Sequence, residues 1–305
     1  VRKLFDEYDI SANKPKRSDA ERKLFEYCET IAPDLEWEFS NRSIIAPYEL
    51  DIVNHERKLA IEYCGLYWHS EAGGAKSKSY HSNKFFSCRE KGYKLFTILE
   101  SDDKEKVSAL IRTALGKNRR IYARNTLAAF VDSTEANDFH RKHHLSGSVG
   151  AKYHIGLYHE GVLVMLISFG KSRFNKKYEY ECTRMTSDSN STVVGGASKL
   201  YKTFIRSCNP ESIITYADLR FGDGNVYTKC DLVFEGFTGP NYWYFHKYHS
   251  NLLYSRGNFQ KHKLRQKLEY FREDLTEYEN MLHNGWDRIW DCGNAIYTYK
   301  KGRII

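Results

Sequence analysis

Glu49, Asp51 and Glu62 are the residues of this chain whose type and spacing best suit them to chemistry. They fall in two strand-like runs, Tyr48–Asn54 and Lys58–Cys64, separated by the turn-forming stretch Asn54-His55-Glu56-Arg57. With Asn54 set against Arg57, Asp51 faces Ala60 and Glu49 faces Glu62. Strand side chains alternate, so the three acids share one face, and Leu50, Ile52, Leu59 and Ile61 share the opposite, core-facing one. Acids opposed across strands repel each other. Such a group persists when a cation neutralises it or when a proton is shared. Carboxylate oxygens suit Mg²⁺, with Mn²⁺ as a substitute, and a bound ion can activate water toward a phosphoryl group. The plainer reading is the solvated face of an edge hairpin.

The elements that must hold these residues can be read around them. Residues 1–17 are polar and basic and form an expected arm or linker. Ser18-Asp19-Ala20-Glu21 is a capping box that opens a helix with Leu24, Phe25, Cys28 and Ile31 on one stripe. A strand is expected at Leu35–Phe39, a Gly/Ser/Lys-rich loop at Glu71–Ser79, and a helix from His81 to Lys91. Lys94–Glu100 reads as a buried strand and Asp103–Leu115 as a closing helix. This order predicts a compact α/β unit over 18–118, with Gly116–Arg120 as a linker. A second α/β unit spans 121–305. It has a helix near Glu135–His144, a hairpin turning at Glu160-Gly161, a strand at Tyr178–Met185, and a helix from Gly195-Gly196 to Cys208. Strands follow at Ile213–Ala217, Leu232–Phe237 and Ala295–Tyr299.

The length of 305 residues fits two domains, and the net charge of +8 favours a polyanionic partner. Most of the excess lies in residues 121–305, with 25 Lys/Arg against 19 Asp/Glu. Within it, Ser255–Lys267 carries Arg256, Lys261, Lys263, Arg265 and Lys267 and no acid, a stretch suited to phosphates of duplex DNA or to a solvated helix face. Asn241–Phe245 is aromatic enough to stack on bases, although aromatic core strands are commoner. The seven cysteines form no CxxC pair and are odd in number, which argues against a disulfide framework and a structural zinc site and for a reducing cytoplasm. No apolar run of 18 residues predicts a membrane span, and no signal peptide is visible. The chain begins at Val1, which leaves room for an upstream region.

Asp51, a turn and then Ile61-Glu62 resembles the PD-(D/E)XK nuclease core, and the longer run ELDIVNHERKLAIEYCGLYWHSE resembles homing endonucleases of tailed phages. Gly65-Leu66-Tyr67-Trp68-His69 and the run Cys88–Glu100 also resemble the very-short-patch mismatch-repair endonucleases. The resemblance covers residues 18–115 and implies a restriction-endonuclease-like core, a mixed sheet flanked by helices. It implies Asp51 and Glu62 as metal ligands, with Glu49 either a third ligand or a neighbour. The usual motif ends in Lys two residues after the Glu, where this chain has Cys64. Lys84, on the next helix and one turn after His81, is the implied charge stabiliser, and His69 the implied base or water-orienting group. Glu21 is either a capping residue or the acidic residue these families place on their first helix. Glu100 is a weaker candidate. The expected activity is Mg²⁺-dependent hydrolysis of duplex DNA by an endonuclease of the phage homing type.

Residues 121–245 resemble the GNAT-type acyltransferase fold, including the Mu-type DNA adenine-modification acyltransferases. The matching parts are Ser168-Phe169-Gly170, Tyr178–Arg184, Val194–Ala197 and Ile214–Asp218. The resemblance implies that Gly195 and Gly196 cradle the pyrophosphate of acyl-CoA. Thr192 stands where a Gln or Arg usually precedes the glycines, which puts a working cofactor site in doubt. A Gly-Gly turn also serves purely steric ends. Two alternatives to the nuclease follow: a DNA-modifying acyltransferase targeted by the N-terminal unit, and a non-catalytic DNA-binding protein.

Overall fold

The computed structural model describes residues 18–248 and 252–303; the arm expected at 1–17 lies outside them. The N-terminal unit opens with α1 (Asp19–Ile31), β1 (Glu38–Asn41), β2 (Leu50–Asn54) and β3 (Leu59–Cys64). It closes with α2 (Tyr80–Glu90), β4 (Lys94–Leu99) and α3 (Lys104–Ala114). Capping explains why the helices begin where the sequence predicts: Ser18 Oγ accepts from the Glu21 N–H, and Asp103 accepts from the amides of Glu105 and Lys106.

The sheet order is β1-β2-β3-β4, antiparallel except for the parallel pair β3/β4. Ile52, Leu59, Ile61 and Phe96 pack with Cys28 of α1 and Val107 and Ile111 of α3. Val53, Ala60 and Leu95 pack on the other face with Cys88 of α2. The mixed sheet therefore carries helices on both faces, and the face assigned to the acids is covered rather than solvated.

The register differs from the expected one. Asn54 pairs with Leu59, Val53 with Ala60 and Ile52 with Ile61. The turn is four residues, His55–Lys58, with Lys58 at φ 46°. The slip is two residues, so parity survives and Asp51 comes opposite Glu62.

The second unit begins earlier than the sequence suggests. Gly116–Arg120 is not a free linker, because Arg119–Tyr122 forms β5, paired in parallel with β10 (Ser191–Val194). Between them lie β6 (Leu127–Phe130), α4 (Ser133–His143), β7 (Tyr153–His159), β8 (Val162–Lys171) and β9 (Tyr180–Ser187). Then come α5 (Gly196–Cys208), β11 (Ser212–Asp218), β12 (Val233–Phe237), β13 (Tyr242–His246) and β14 (Tyr254–Ser255). The chain ends with α6 (Lys261–Leu264), α7 (Glu277–His283), β15 (Trp286–Trp290) and β16 (Asn294–Lys300).

Seven strands form one sheet in the order β12-β16-β11-β9-β8-β7-β6, and β14-β13-β15 form a separate three-stranded sheet. The core lies between α5 and the large sheet, where Leu200, Tyr201 and Phe204 meet Phe169, Cys182 and Ile213, with the Phe169 and Phe204 rings stacked at 3.7 Å. Asn241–Phe245 thus belongs to a core strand: Tyr242, Tyr244 and Phe245 are buried, which removes them as a base-stacking surface. All seven cysteines are free, and among the described residues no helix is long and apolar enough to cross a membrane.

The two units are joined by main-chain and side-chain bonds. The Thr97 N–H donates to Arg220 O at 2.8 Å and the Glu71 N–H to Arg288 O at 2.9 Å. Ser70 Oγ donates to Asp287 at 2.8 Å, and Arg220 pairs with Asp102 at 3.0 Å.

Candidate functional site

β2, β3 and α2 bring together Asp51, Glu62 and Lys84. Lys84 projects from the helix that covers the sheet and forms an ion pair with Glu62 Oε1, with Lys84 2% and Glu62 3% exposed. The Tyr63 N–H donates to Asp51 Oδ2 at 2.8 Å. Glu62 Oε2 is buried without a hydrogen-bond partner among the described residues. Burial, then the neighbouring Glu62, pushes the Asp51 carboxyl well above its usual range. Burial raises Glu62 as well, against the opposing pull of Lys84. Burial alone would lower Lys84, but Glu62, Tyr80 and Asp51 outweigh it and leave the ammonium more basic than usual. The arrangement that follows is an ammonium–carboxylate pair beside Asp51, whose carboxyl burial biases toward the protonated form.

The other residues implied for this site lie apart from it. Glu49 turns outward to Arg42, whose Nε donates at 2.8 Å. Glu21 sits in the first turn of α1 as part of the cap, close enough for its charge to bear on Asp51 and Glu62. Glu100 accepts from the Leu66 N–H at 2.9 Å and so fixes the turn after β3. His69 goes to a different group: its Nδ1 lies 3.0 Å from His81 Nε2, with the rings stacked 14° from parallel. Burial, with His81 and Lys84 adding to it, drives the His69 pKa well below the ordinary value.

The expectation of a magnesium-dependent endodeoxyribonuclease is corrected. Lys84 occupies one carboxylate that was to hold the ion, and Asp51 is tied to a backbone amide and inclined to keep its proton. Glu49 is taken by Arg42. Among the described residues, no group of three or more acidic, histidine or cysteine side chains converges on Asp51 and Glu62; the one such group is Cys64, His69 and His81.

The basic segment also differs from expectation. It holds a 3-10 turn at Arg256–Asn258 and a single α-helical turn at Lys261–Leu264. Its cations turn back on their own loop: Lys261 Nζ donates to Glu273 O at 2.8 Å, Lys263 Nζ to Gly257 O at 2.8 Å, and Lys267 Nζ to Asn258 O at 2.9 Å. Arg265 pairs with Glu273 at 3.3 Å and Arg256 with Glu277 at 3.4 Å. They form a folded basic surface rather than a continuous helical face.

In the second unit, Gly195 caps α5 with φ 79°, a left-handed conformation suited to glycine. Gly196 is required by packing, because a Cβ there would lie 2.5 Å from Met165 Sδ. Lys199 Nζ donates to Ala123 O at 2.8 Å, which holds the chain after β5 against the helix start.

Sequence reasoning missed three buried groups. Arg220 bridges Asp102 and Asp218 between the two units. Ser168 Oγ lies 2.7 Å from both His140 Nε2 and His154 Nδ1. Cys64 and His81 join His69, and His81 comes from a different element. None of these has a regular spacing, so only the tertiary fold reveals them.

No protein-family model matches the chain, and no curated protein matches it. Among solved structures, the chain is similar to an acetyltransferase from Bacillus subtilis in complex with CoA, with 12% identity over 57% of this chain and 98% of that one, at TM-score 0.32. It is also similar to a protein described as a streptothricin acetyltransferase from Bacillus anthracis in complex with acetyl coenzyme A, at 11% identity, 57% and 98% coverage and TM-score 0.32. A third is yncA, an acetyltransferase from Salmonella typhimurium with acetyl-CoA, at 10% identity, 59% and 96% coverage and TM-score 0.32. All three are described as acetyltransferases, and none is described as a nuclease.

Proposed function

We propose that residues 119–300 form an acyl-CoA-dependent acyltransferase, and that the N-terminal unit and the basic surface around residues 255–267 bring it to duplex DNA as acceptor. The observation that carries this reading is the divergence of β9 and β11. They pair in parallel only where Ile213–Thr215 meets Tyr180–Cys182. β9 then continues to Ser187 along β8, and β11 continues to Asp218 along β16. Past Cys182 their facing edges present backbone groups that no described strand takes up. A flexible arm bearing amides can fill that position as an extra strand would.

α5 starts beyond β9 at Gly195-Gly196. The first-turn N–H groups of Gly196, Ala197 and Ser198 have no partner within the helix, and with the helix dipole they favour an anion. An amide-bearing arm attached to a pyrophosphate describes a CoA thioester. When bound, the thioester supplies the activated acyl group: an acceptor amine attacks its carbonyl, the C–N bond forms, the C–S bond breaks and the thiol leaves. Arg220, just past β11, pairs with Asp102 of the N-terminal unit, so the open end of the gap runs toward the surface that would present the acceptor.

The test is calorimetry of the full chain with acetyl-CoA, comparing wild type with Ser198→Glu. An acid in the first turn suits the helix dipole, so the fold should hold while a pyrophosphate is repelled. Wild type should bind at one site and the variant at least about tenfold more weakly. A wild-type chain that does not bind acetyl-CoA would end the reading. Incubation with duplex DNA and acyl-CoA, followed by mass spectrometry of the nucleosides, tests the acceptor.

A further inference from the structure

Cys64, His69 and His81 form a cluster that neither the carboxylate site nor the proposed acyl-CoA gap uses. Cys64, at the end of β3, is wholly buried, His81 in the first turn of α2 is nearly so, and His69 on the intervening loop is partly exposed. Their nearest Sγ, Nδ1 and Nε2 atoms lie within 4.8 Å of one another, with 3.0 Å from His69 Nδ1 to His81 Nε2 and 3.7 Å from Cys64 Sγ to His81 Nε2. Zinc–nitrogen bonds of about 2.0–2.1 Å and a zinc–sulfur bond of about 2.3 Å, set tetrahedrally, place two nitrogens about 3.3 Å apart and nitrogen and sulfur about 3.6 Å apart. The two spacings at His81 need only tenths of an ångström of adjustment, and the Cys64–His69 separation, within 4.8 Å, closes toward about 3.6 Å by movement of the His69 side chain.

The tautomer of His81 is fixed as a ligand requires. His81 Nδ1 lies 2.7 Å from the carbonyl oxygen of Trp290, an acceptor only, so Nδ1 carries the proton and Nε2 presents a lone pair. Metal-bound histidines typically donate their second nitrogen to a backbone carbonyl or carboxylate in this way. Without an ion, both the His69 Nδ1–H and the Cys64 S–H are directed at that single lone pair, and one acceptor serves two donors. A divalent ion at the centre of the three atoms resolves the conflict.

We propose that Cys64, His69 and His81 bind one Zn²⁺ through a thiolate and two neutral imidazoles, with a fourth, exchangeable position on the partly exposed His69 side. On binding, the Cys64 S–H bond breaks, the S–Zn bond forms and one proton passes to solvent. The His69 proton moves from Nδ1 to Nε2, so the imidazoles release none. The donor set of one soft sulfur and two imidazoles suits zinc rather than Mg²⁺. Because His81 is held by Trp290, the ion would sit beside the junction of the two units.

The full-length chain, stripped with a chelator and then titrated with Co²⁺ or Zn²⁺, tests this. Expected results are one ion per chain, a thiolate-to-cobalt charge-transfer band with tetrahedral visible bands, and about one proton released per Zn²⁺ in calorimetry across buffers of different ionisation enthalpy. Cys64→Ser should abolish the charge-transfer band, and His69→Gln should weaken Zn²⁺ at least about 100-fold, since even outer-shell losses reach 10–100-fold. Cys208→Ser, a cysteine outside the cluster, should change nothing. His69 is partly exposed, so His69→Gln keeps the test decisive if Cys64→Ser fails to fold. A wild-type chain without the band, or metal held equally by wild type and His69→Gln, would overturn the proposal.

Discussion

Buried charge dominates at the scale of single residues. Lys84 is buried against the Glu62 carboxylate, and its removal would leave Glu62 without a counter-charge. Lys84→Met should therefore destabilise the protein by about 3–5 kcal/mol in urea unfolding, and Lys84→Met combined with Glu62→Gln should recover much of that loss. Asp51 gives a pH dependence of defined sign. Its folded pKa lies above its unfolded one, so the folded state binds the proton more tightly. The stabilisation is complete below the unfolded pKa and fades as pH rises through the folded one. Asp51→Asn should accordingly gain stability relative to wild type at pH 8 and not at pH 4, read from paired denaturant curves. Helical spacing put Lys84 and His81 on one side of α2, yet they join different groups, Lys84 with Glu62 and His81 with His69 and Cys64. The sequence did not anticipate the buried Lys84–Glu62 ion pair, because the register and the covering helix are tertiary properties.

Local chemistry set most boundaries at the scale of elements. Ser18 and Asp103 start their helices as read, and Glu160-Gly161 turns the hairpin with φ 53° and 79°. β5 was missed because its burial runs exposed, exposed, buried, exposed, so no alternation marks the polar Arg119-Arg120 stretch as a strand. The basic stretch after Ser255 looked helical, but its lysines bond to main-chain carbonyls and its arginines to Glu273 and Glu277, which sequence periodicity does not encode. Two glycines separate steric need from conformational need. Gly196→Ala puts a methyl against Met165 and Val193 and should cost about 1–3 kcal/mol. Gly161→Ala meets nothing within 4 Å and should cost about 1 kcal/mol, from its positive φ alone. Thermal unfolding of both variants distinguishes the two causes.

At the scale of the whole molecule, the mixed α/β character was legible from element order, but the contacts that join its sheets were not. Residues 97 and 220, or 70 and 287, meet only once both sheets exist. Arg220 is the buried centre of that junction, paired with Asp102 and Asp218. Arg220→Met leaves Asp102 buried without its partner and should lower stability by about 3–5 kcal/mol. The units should then melt separately, which calorimetry would show as two transitions where wild type shows one.

The three-stranded sheet β14-β13-β15 departs from the large sheet after Phe237 and returns at Ala295, which pair with each other. Its last strand carries Asp287 to Ser70 and the Trp290 carbonyl to His81. Ser70 is therefore fastened by a residue 217 positions further along the chain. During synthesis Ser70 and His81 Nδ1 must wait for their bonds to Asp287 and the Trp290 carbonyl until β15 has left the ribosome. A fragment cut near residue 118 would keep that unfinished surface permanently and should lean on chaperones or self-associate.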